Sequence, residues 1–477
     1  MGQILANIFR ILNWIGLTYF LALNTIYLIL IVAASFNIGQ YFRKKPYLGL
    51  EEALKSPVTM PVSILVPAHN EEAVIVESAR AILALRYPQF ELIIVDDGSS
   101  DTTFSKLEEE FQLVEIPFHI EQLVPTRGLI KSLHIAPGLI DLTVVRKESV
   151  GQKTDALNAA INIAKYPLLA MVDADAVLDQ DALLMVTMPF IDDPITVVAT
   201  GGAIRPSNGC NVVRGRMTQV GMPKNWLAKI QIVEYLRAFL LGRTGWSRLH
   251  GLLIISGAFG VFKKEGVIAI GGYNHDSIGE DADLVARLHR YYTDAKKPYQ
   301  VVFVSEPICW TEVPEDTRTL RKQRQRWSRG LAEVIWTNKR MIFNPRFKSV
   351  GLLAIPYFIF FEILGPFVEI GGIVTLAIAV IYHMVNLYFA GLFLSVAFLF
   401  GILLSILSLL VEELSYHRYD RWRYLKDAVL ASIIENFGFR QLHAAWRIEG
   451  TWQAIRKKNR SWGTMVRKGY TQPSATP

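Results

Sequence analysis

Residues Leu168–Val172 are apolar, and Asp173, Ala174 and Asp175 follow them directly. In an extended chain, residues two apart point to the same side, so Asp173 and Asp175 repel each other. Such a pair calls for a shared counter-ion. A hard divalent cation, Mg2+ or Mn2+, takes carboxylate oxygens and leaves positions for the oxygens of a diphosphate. It would then stabilise the charge growing on a departing nucleoside diphosphate. Two acids in an exposed loop would need no function, and their place behind a buried-looking strand sets the metal beside that plain reading as its equal.

Other clusters each admit a plain reading and a chemical one. In Val62–Glu72 a strand ends at Pro67, Asn70 is placed to cap a helix, and Glu71 and Glu72 suit its first turn. A well-capped helix explains that stretch without any ligand. Asp96 and Asp97 end a second apolar run and precede Gly98–Ser99. They serve either a turn or hydrogen bonds to a nucleotide's base or ribose. Lys153, behind Gly151–Gln152 at a helix start, suits a diphosphate, although the segment lacks the spacing of a Walker loop. Asp281, in Gly279–Glu280–Asp281, is placed to take a proton from an attacking hydroxyl or simply to favour a helix dipole. The basic run Arg318–Arg329 contains Gln323, Arg326 and Trp327. It fits lipid head groups or a diphosphate site with a sugar-stacking ring.

The elements that must hold these groups are strands and helices in alternation. Apolar runs at Val62–Val66, Leu92–Val95, Leu168–Val172 and Val197–Thr200 alternate with helical patterns at Glu72–Leu85, Lys153–Ala164 and Asp181–Met188. This predicts a soluble α/β domain over residues 58–340 with a doubly wound, mostly parallel sheet. Ligands in such sheets bind beyond the carboxyl ends of the strands, where the acids lie. Among 477 residues, 51% are hydrophobic, and 50 Lys and Arg balance 43 Asp and Glu to a net charge of +7. With a mean hydropathy of +0.27 the chain looks to a bilayer and not to nucleic acid. Two distant cysteines, Cys210 and Cys309, exclude a disulfide scaffold.

Residues 1–45 read as a transmembrane anchor, because no charge occurs from Ile11 to Phe42 and the apolar heart is Trp14–Phe36. Arg43, Lys44 and Lys45 behind it place the α/β domain in the cytoplasm, at the plasma (inner) membrane. Residues 350–412 read as membrane helices. The uncharged stretch Ile370–Val411 is about twice the bilayer core and needs a break, expected near His383–Asn386. Val350–Glu369 carries Pro356, Glu362, Pro366 and Glu369 and so is expected to begin as an interfacial helix. Residues 425–447 read as one interfacial or channel-lining helix, since Asp427, Glu435, Arg440 and Gln441 are costly in lipid. A basic cytoplasmic tail, 448–477, contains Ser461–Trp462–Gly463–Thr464.

Taken in order, these motifs resemble the processive, membrane-embedded family-2 glycosyltransferases, which include cellulose, chitin, hyaluronan and poly-N-acetylglucosamine synthases. The resemblance runs from about Pro61 to Trp336 and includes the flanking membrane segments. It implies the GT-A nucleotide-sugar transferase fold. It further implies that His69 and Glu71 lie by the uracil, that Asp96 and Asp97 form the first nucleotide-binding motif, and that Lys153 lies near the nucleotide. Asp173 and Asp175 match the metal-binding Asp-x-Asp, and Asp281 matches the catalytic base. Gln323, Arg326 and Trp327 match Gln-x-x-Arg-Trp, with Arg326 toward the diphosphate and Trp327 toward the acceptor sugar. Ser256–Gly257–Ala258 resembles the loop beside the acceptor, and Trp462 the motif that closes over substrate in chitin and hyaluronan synthases. Gly279 replaces the Thr usual in cellulose synthases, and Met465 replaces the usual basic residue behind Ser-Trp-Gly-Thr.

The expected activity is inverting transfer from UDP-N-acetylglucosamine or UDP-glucose onto a growing β-linked polysaccharide that is exported across the membrane. Few membrane helices for a polymer pore make a homo-oligomer or an export partner expected as well. Two other readings stay open here: transfer of a single sugar to a membrane lipid, and a catalytically inactive channel or scaffold.

Overall fold

Val62–Ala68 (β1), Phe90–Asp97 (β2), Val114–Ile116 (β3), Ile130–Ala136 (β4), Leu139–Lys147 (β5) and Leu168–Val172 (β6) are the strands of the first half. Val177–Leu178 (β7), Val197–Pro206 (β8), Asn211–Val213 (β9), Arg216–Gln219 (β10), Phe259–Lys263 (β11) and Gln300–Thr311 (β12) follow. The computed structural model of the protein describes residues 2–44, 49–382, 387–416 and 422–456. Among these, one sheet runs β3-β4-β5-β2-β1-β6-β11-β8-β12-β7, and β9 with β10 forms a separate hairpin.

The four strands β5-β2-β1-β6 are mutually parallel. All five residues of β6 and all of β1 except Pro67 are buried, so apolar side chains are covered on both faces. The antiparallel β11 separates β6 from β8. Thus the centre is parallel as the alternation predicts, and antiparallel strands flank it. Ala68 pairs with Asp96, Asp97 with Lys147, and Leu65 with Met171. The carboxyl ends of these strands therefore finish along one edge, and the acids emerge there.

Asn70 does not cap a helix. The following helix begins only at Ile75, and Asn70 adopts a left-handed φ of 57°. Its Oδ1 accepts from the Ser100 amide at 2.8 Å, and its own amide donates to Ser99 Oγ at 3.0 Å. Asn70 instead joins the loop behind β1 to the loop behind β2.

The chain divides into two compact units. The sheet unit contains Gln40–Pro223 and His250–Val313, and the other contains Met1–Gly39, Lys224–Leu249 and Pro314–Lys458. This cuts the chain differently from 58–340. Helix Thr317–Thr337 belongs with the second unit because it packs along helix Arg440–Ile455. The two helices approach so closely at Gly450 that a Cβ there would collide with the Gln325 carbonyl.

Among the described residues, Trp14–Arg43, Val350–Ile381 and Phe398–Tyr416 are long and apolar enough to cross a bilayer. The expected break at His383–Asn386 lies outside the described residues, between helices ending at Ile381 and starting at Leu387. Val350–Glu369 continues into the apolar helix up to Ile381, with wide π turns at Val350–Ala354 and Phe358–Ile363 beside its prolines. The acids that argued against lipid are paired: Glu362 with Arg447 at 2.7 Å and Glu369 with Arg440 at 3.1 Å. Residues 425–447 are two helices, Trp422–Ile434 and Arg440–Ile455, broken at Phe437 and at Gly438 with its φ of 86°. Their charges also find protein partners, Asp427 with Lys229 at 2.7 Å and Glu435 with Arg237 at 2.6 Å.

Candidate active site

At the strand edge of the sheet unit, Asp173 and Asp175 stand just behind β6, both partly exposed. Thr311 donates its hydroxyl to Asp175 Oδ2 at 3.4 Å. Lys153, the first residue of helix Lys153–Ile163, forms an ion pair with Asp173. Burial works against the Lys153 ammonium, but Asp173, Glu280 and Asp175 outweigh it and raise its pKa. Two oxygen-donor acids fit a hard divalent cation. Among the described residues no three His, Cys, Asp or Glu side chains gather as a metal-holding group, so what those residues offer an ion here is two acids.

Gly257 brings the proposed base to this group. A Cβ added there would lie 3.6 Å from Lys153 Nζ and 3.9 Å from Asp281 Cβ, so the loop lies against both residues. Asp281 lies in the first turn of helix Glu280–Asp294, and its Oδ1 accepts from the Ala282 amide at 2.8 Å. Asp283 and Arg287 pair at 2.6 Å, and Arg287 donates to the carbonyls of Ile270 and Gly272 at 2.9 and 2.8 Å. Those bonds fix the start of the helix against the preceding turn. Tyr273 is buried nearby, and its phenol is pushed well above the usual range by burial and then by Glu280, Asp281 and Asp173.

The acids that end β2, Asp96 and Asp97, are both buried. Asp96 Oδ1 accepts from the Ser99 amide at 3.2 Å, closing the turn. Gly98 in that turn has φ 62°, and a Cβ there would sit 2.9 Å from the Ser149 amide nitrogen. Asp97 binds Lys147 through Oδ1 and the Ser149 hydroxyl through Oδ2 at 3.0 Å. His69 Nδ1 donates to the Asp97 carbonyl at 2.8 Å, and the Glu71 amide donates to Thr103 Oγ1 at 2.8 Å.

Lys147, which no sequence motif singles out, anchors this edge. Its side chain is 0% exposed, and its Nζ lies 2.8 Å from Asp155 Oδ2, also 0% exposed. Asp155 further accepts from His275 Nε2 at 2.9 Å and from the amides of Arg127 and Gly128 at 2.6 and 2.9 Å. Burial raises the Asp155 pKa, but Lys147 and then these donors overcome it and hold the carboxyl below its ordinary value. Gly128 permits the approach, since a Cβ would meet Lys147 Nζ at 2.7 Å and Asp155 Oδ2 at 2.9 Å. Asn158, one turn along the helix, accepts from the Tyr273 amide at 2.8 Å and donates to the Pro125 carbonyl at 2.9 Å. The chain from Asp97 to His275 thereby fastens five segments around the edge. Lys147→Met leaves two buried carboxylates without their cation, so we expect a loss of about 3–5 kcal/mol. A thermal unfolding midpoint equal to wild type would show that the network is dispensable.

Gln323, Arg326 and Trp327 fall three and four residues apart on helix Thr317–Thr337, hence on one face. They belong to the second unit. Gln323 is 9% exposed and Trp327 37%, and the Arg324 guanidinium lies 4.4 Å above the Trp327 ring. Arg324 also pairs with Glu234 at 2.7 Å. Trp462 and the Ser-Trp-Gly-Thr motif lie outside the described residues.

A family model described as Glycosyl transferase family group 2 matches residues 168–412, and one described as Glycosyl transferase family 2 matches 63–246. A poly-beta-1,6-N-acetyl-D-glucosamine synthase of Staphylococcus epidermidis is 28% identical over 306 residues, 62% of this chain and 63% of that protein. The synthase of the same name from Staphylococcus aureus strain COL is 30% identical over 304 residues, 63% of this chain and 60% of that protein. The chain thus matches less than two thirds of the length of these relatives. Among solved structures, the mannosyltransferase PcManGT from Pyrobaculum calidifontis, in complex with GDP-Man and Mn2+, superposes with a TM-score of 0.51 at 20% identity. It covers 88% of this chain and 99% of its own, and the likeness is one of fold, the GT-A type that the motifs imply. With a family model spanning both the acid pair and the apolar helices behind it, the chain belongs to glycosyl transferase family group 2.

Proposed function

We propose that the chain is a membrane-bound inverting glycosyltransferase that uses UDP-N-acetylglucosamine to extend a β-linked polysaccharide and exports the product. One observation carries the reading: Lys153, paired with Asp173 behind a central strand, lies with Asp281 beside Gly257. The names of the bacterial relatives support N-acetylglucosamine as the sugar.

Asp173 and Asp175 would hold a divalent cation, whose charge offsets that of the leaving diphosphate. The protein of like fold is in complex with GDP-Man and Mn2+, which agrees with such an ion. The acceptor hydroxyl attacks the anomeric carbon as the bond from that carbon to the diphosphate oxygen breaks. Asp281 takes the hydroxyl proton, and UDP departs with the bonding electrons. Lys153 supplies positive charge at the same edge. In this reading Arg326 serves the diphosphate and Trp327 the acceptor sugar, the roles that the resemblance implies for Gln-x-x-Arg-Trp. The basic residues Arg43 and Lys44 behind the first apolar helix support a cytoplasmic catalytic unit.

The test is detergent-purified full-length protein given UDP-N-acetylglucosamine, UDP-glucose or GDP-mannose, with products weighed by mass spectrometry. A ladder of N-acetylhexosamine units from the first donor alone is the expected result. A single sugar on lipid, or a ladder from another donor, would overturn the polymer or the sugar respectively. Trp327→Ala is expected to keep UDP binding and to slow elongation about a hundredfold, since a displaced acceptor loses its alignment. Near-normal chain growth in detergent would return Trp327 to the role of a membrane anchor.

A further inference from the structure

We infer that Lys153 is the resident counter-ion of the acid pair, and that the protein therefore admits its divalent cation together with a diphosphate and not before it. The inference rests on the reading of Asp173 and Asp175 as the acids that hold the metal.

Lys153 Nζ occupies Asp173 Oδ1, the position a cation would need. The lysine side chain is 9% exposed and the aspartate 29%, so water screens the pair poorly. The ammonium has little freedom to leave, because it also lies 3.5 Å from the Gly257 carbonyl and sits on a helix whose start is pinned by the buried Asp155. Asp173 itself is held in place, its amide donating to the Ala258 carbonyl at 3.3 Å. A divalent ion arriving alone meets two carboxylates, one already neutralised, and a lysine that repels it. Among the described residues no three His, Cys, Asp or Glu side chains gather as a metal-holding group, so Glu280, whose charge also reaches Lys153, adds to the field without completing a shell.

A nucleoside diphosphate changes this in two ways. Its oxygens offer the ammonium an anionic partner, releasing Asp173, and they also complete the shell of the cation. Metal and nucleotide then bind with strong positive coupling, and by linkage each raises the affinity for the other by the same factor. Lys153 thus has two partners in turn, Asp173 in the resting protein and the diphosphate in the loaded one. The arrangement keeps a hard cation from resting at the edge without substrate.

The experiment titrates Mn2+ into detergent-purified full-length protein, without and with saturating UDP, and reads protein-bound Mn2+ by equilibrium dialysis and electron paramagnetic resonance, with matched UDP alone subtracting the Mn2+ that the diphosphate binds by itself. Wild type is expected to take up Mn2+ weakly alone and far more tightly with UDP. Lys153→Met should bind Mn2+ alone at least about tenfold more tightly than wild type, because removing one close positive charge is worth more than about 1.4 kcal/mol at an edge of this burial. Its UDP-dependent gain should shrink accordingly. Lys153→Arg, which keeps the charge, should exclude Mn2+ as wild type does and guards against a general loosening of the fold. Equal Mn2+ affinity of Lys153→Met and wild type without nucleotide would overturn the inference. The doubly substituted Asp173→Asn, Asp175→Asn protein separates the two claims: if it still takes up Mn2+ with UDP, the acid pair is not the metal site and both fall.

Discussion

Asp281→Asn is expected to slow sugar transfer by about two to four orders of magnitude while the affinity for UDP stays close to wild type. Asparagine matches aspartate in shape and still offers an oxygen to the Ala282 amide, the bond of 2.8 Å that orients the side chain at the start of its helix. The anchoring of that helix through Arg287 and Asp283 is untouched. What disappears is the capacity to accept a proton, so the loss falls on the chemical step. The separation from the acid pair sharpens the test, because Lys153, not Asp281, contacts Asp173. Single-turnover transfer rates set beside UDP titrations decide the matter. Should affinity fall as far as the rate, Asp281 would be a donor-binding group and the base would have to be sought elsewhere on the edge.

Much of this edge was legible in the sequence because its signals are local. The run Leu168–Val172 is a strand of those bounds, since five consecutive apolar residues bury on both faces, and the acids behind it emerge where a strand end must put them. The helix start at Lys153 was equally plain. Lys147 was not. It closes an apolar run beside Arg146 and Glu148 and looks like an ordinary solvated lysine. Only the parallel register that sets it beside Asp97, and the helix that brings Asp155 beneath it, turn it into a buried cation. Asn70 shows the opposite error. Its residue type fits a helix cap, but the loop behind β2 competes for its side chain and wins. Two charged residues of 425–447, Asp427 and Glu435, hid their partners for a related reason. Their spacing along the chain carries no trace of Lys229 and Arg237, almost two hundred residues earlier, with which they pair. Long-range pairing is what a linear pattern cannot hold.

Asp175→Asn should abolish transfer, with a loss of about a thousandfold or more, since it removes half of the metal-holding charge and with it the stabilisation of the leaving diphosphate. The fold should survive. Asp175 is partly exposed, its neighbour Thr311 can donate to an amide oxygen as it does to a carboxylate, and the side chains have the same shape. The choice of Asp175 over Asp173 matters. Replacing Asp173 also strips Lys153 of its partner and so mixes two effects, whereas Asp175 leaves that ion pair standing. Chelation of divalent cations from the wild-type protein should produce the same loss, and restoring Mn2+ should recover the wild type but not the variant. UDP affinity gives an independent measure: in wild type it should rise with Mn2+, and in Asp175→Asn that rise should vanish while the metal-free affinity stays. Transfer by Asp175→Asn at near wild-type rate, or full activity after chelation, would mean that Lys153 and the backbone of this edge stabilise the diphosphate without a cation.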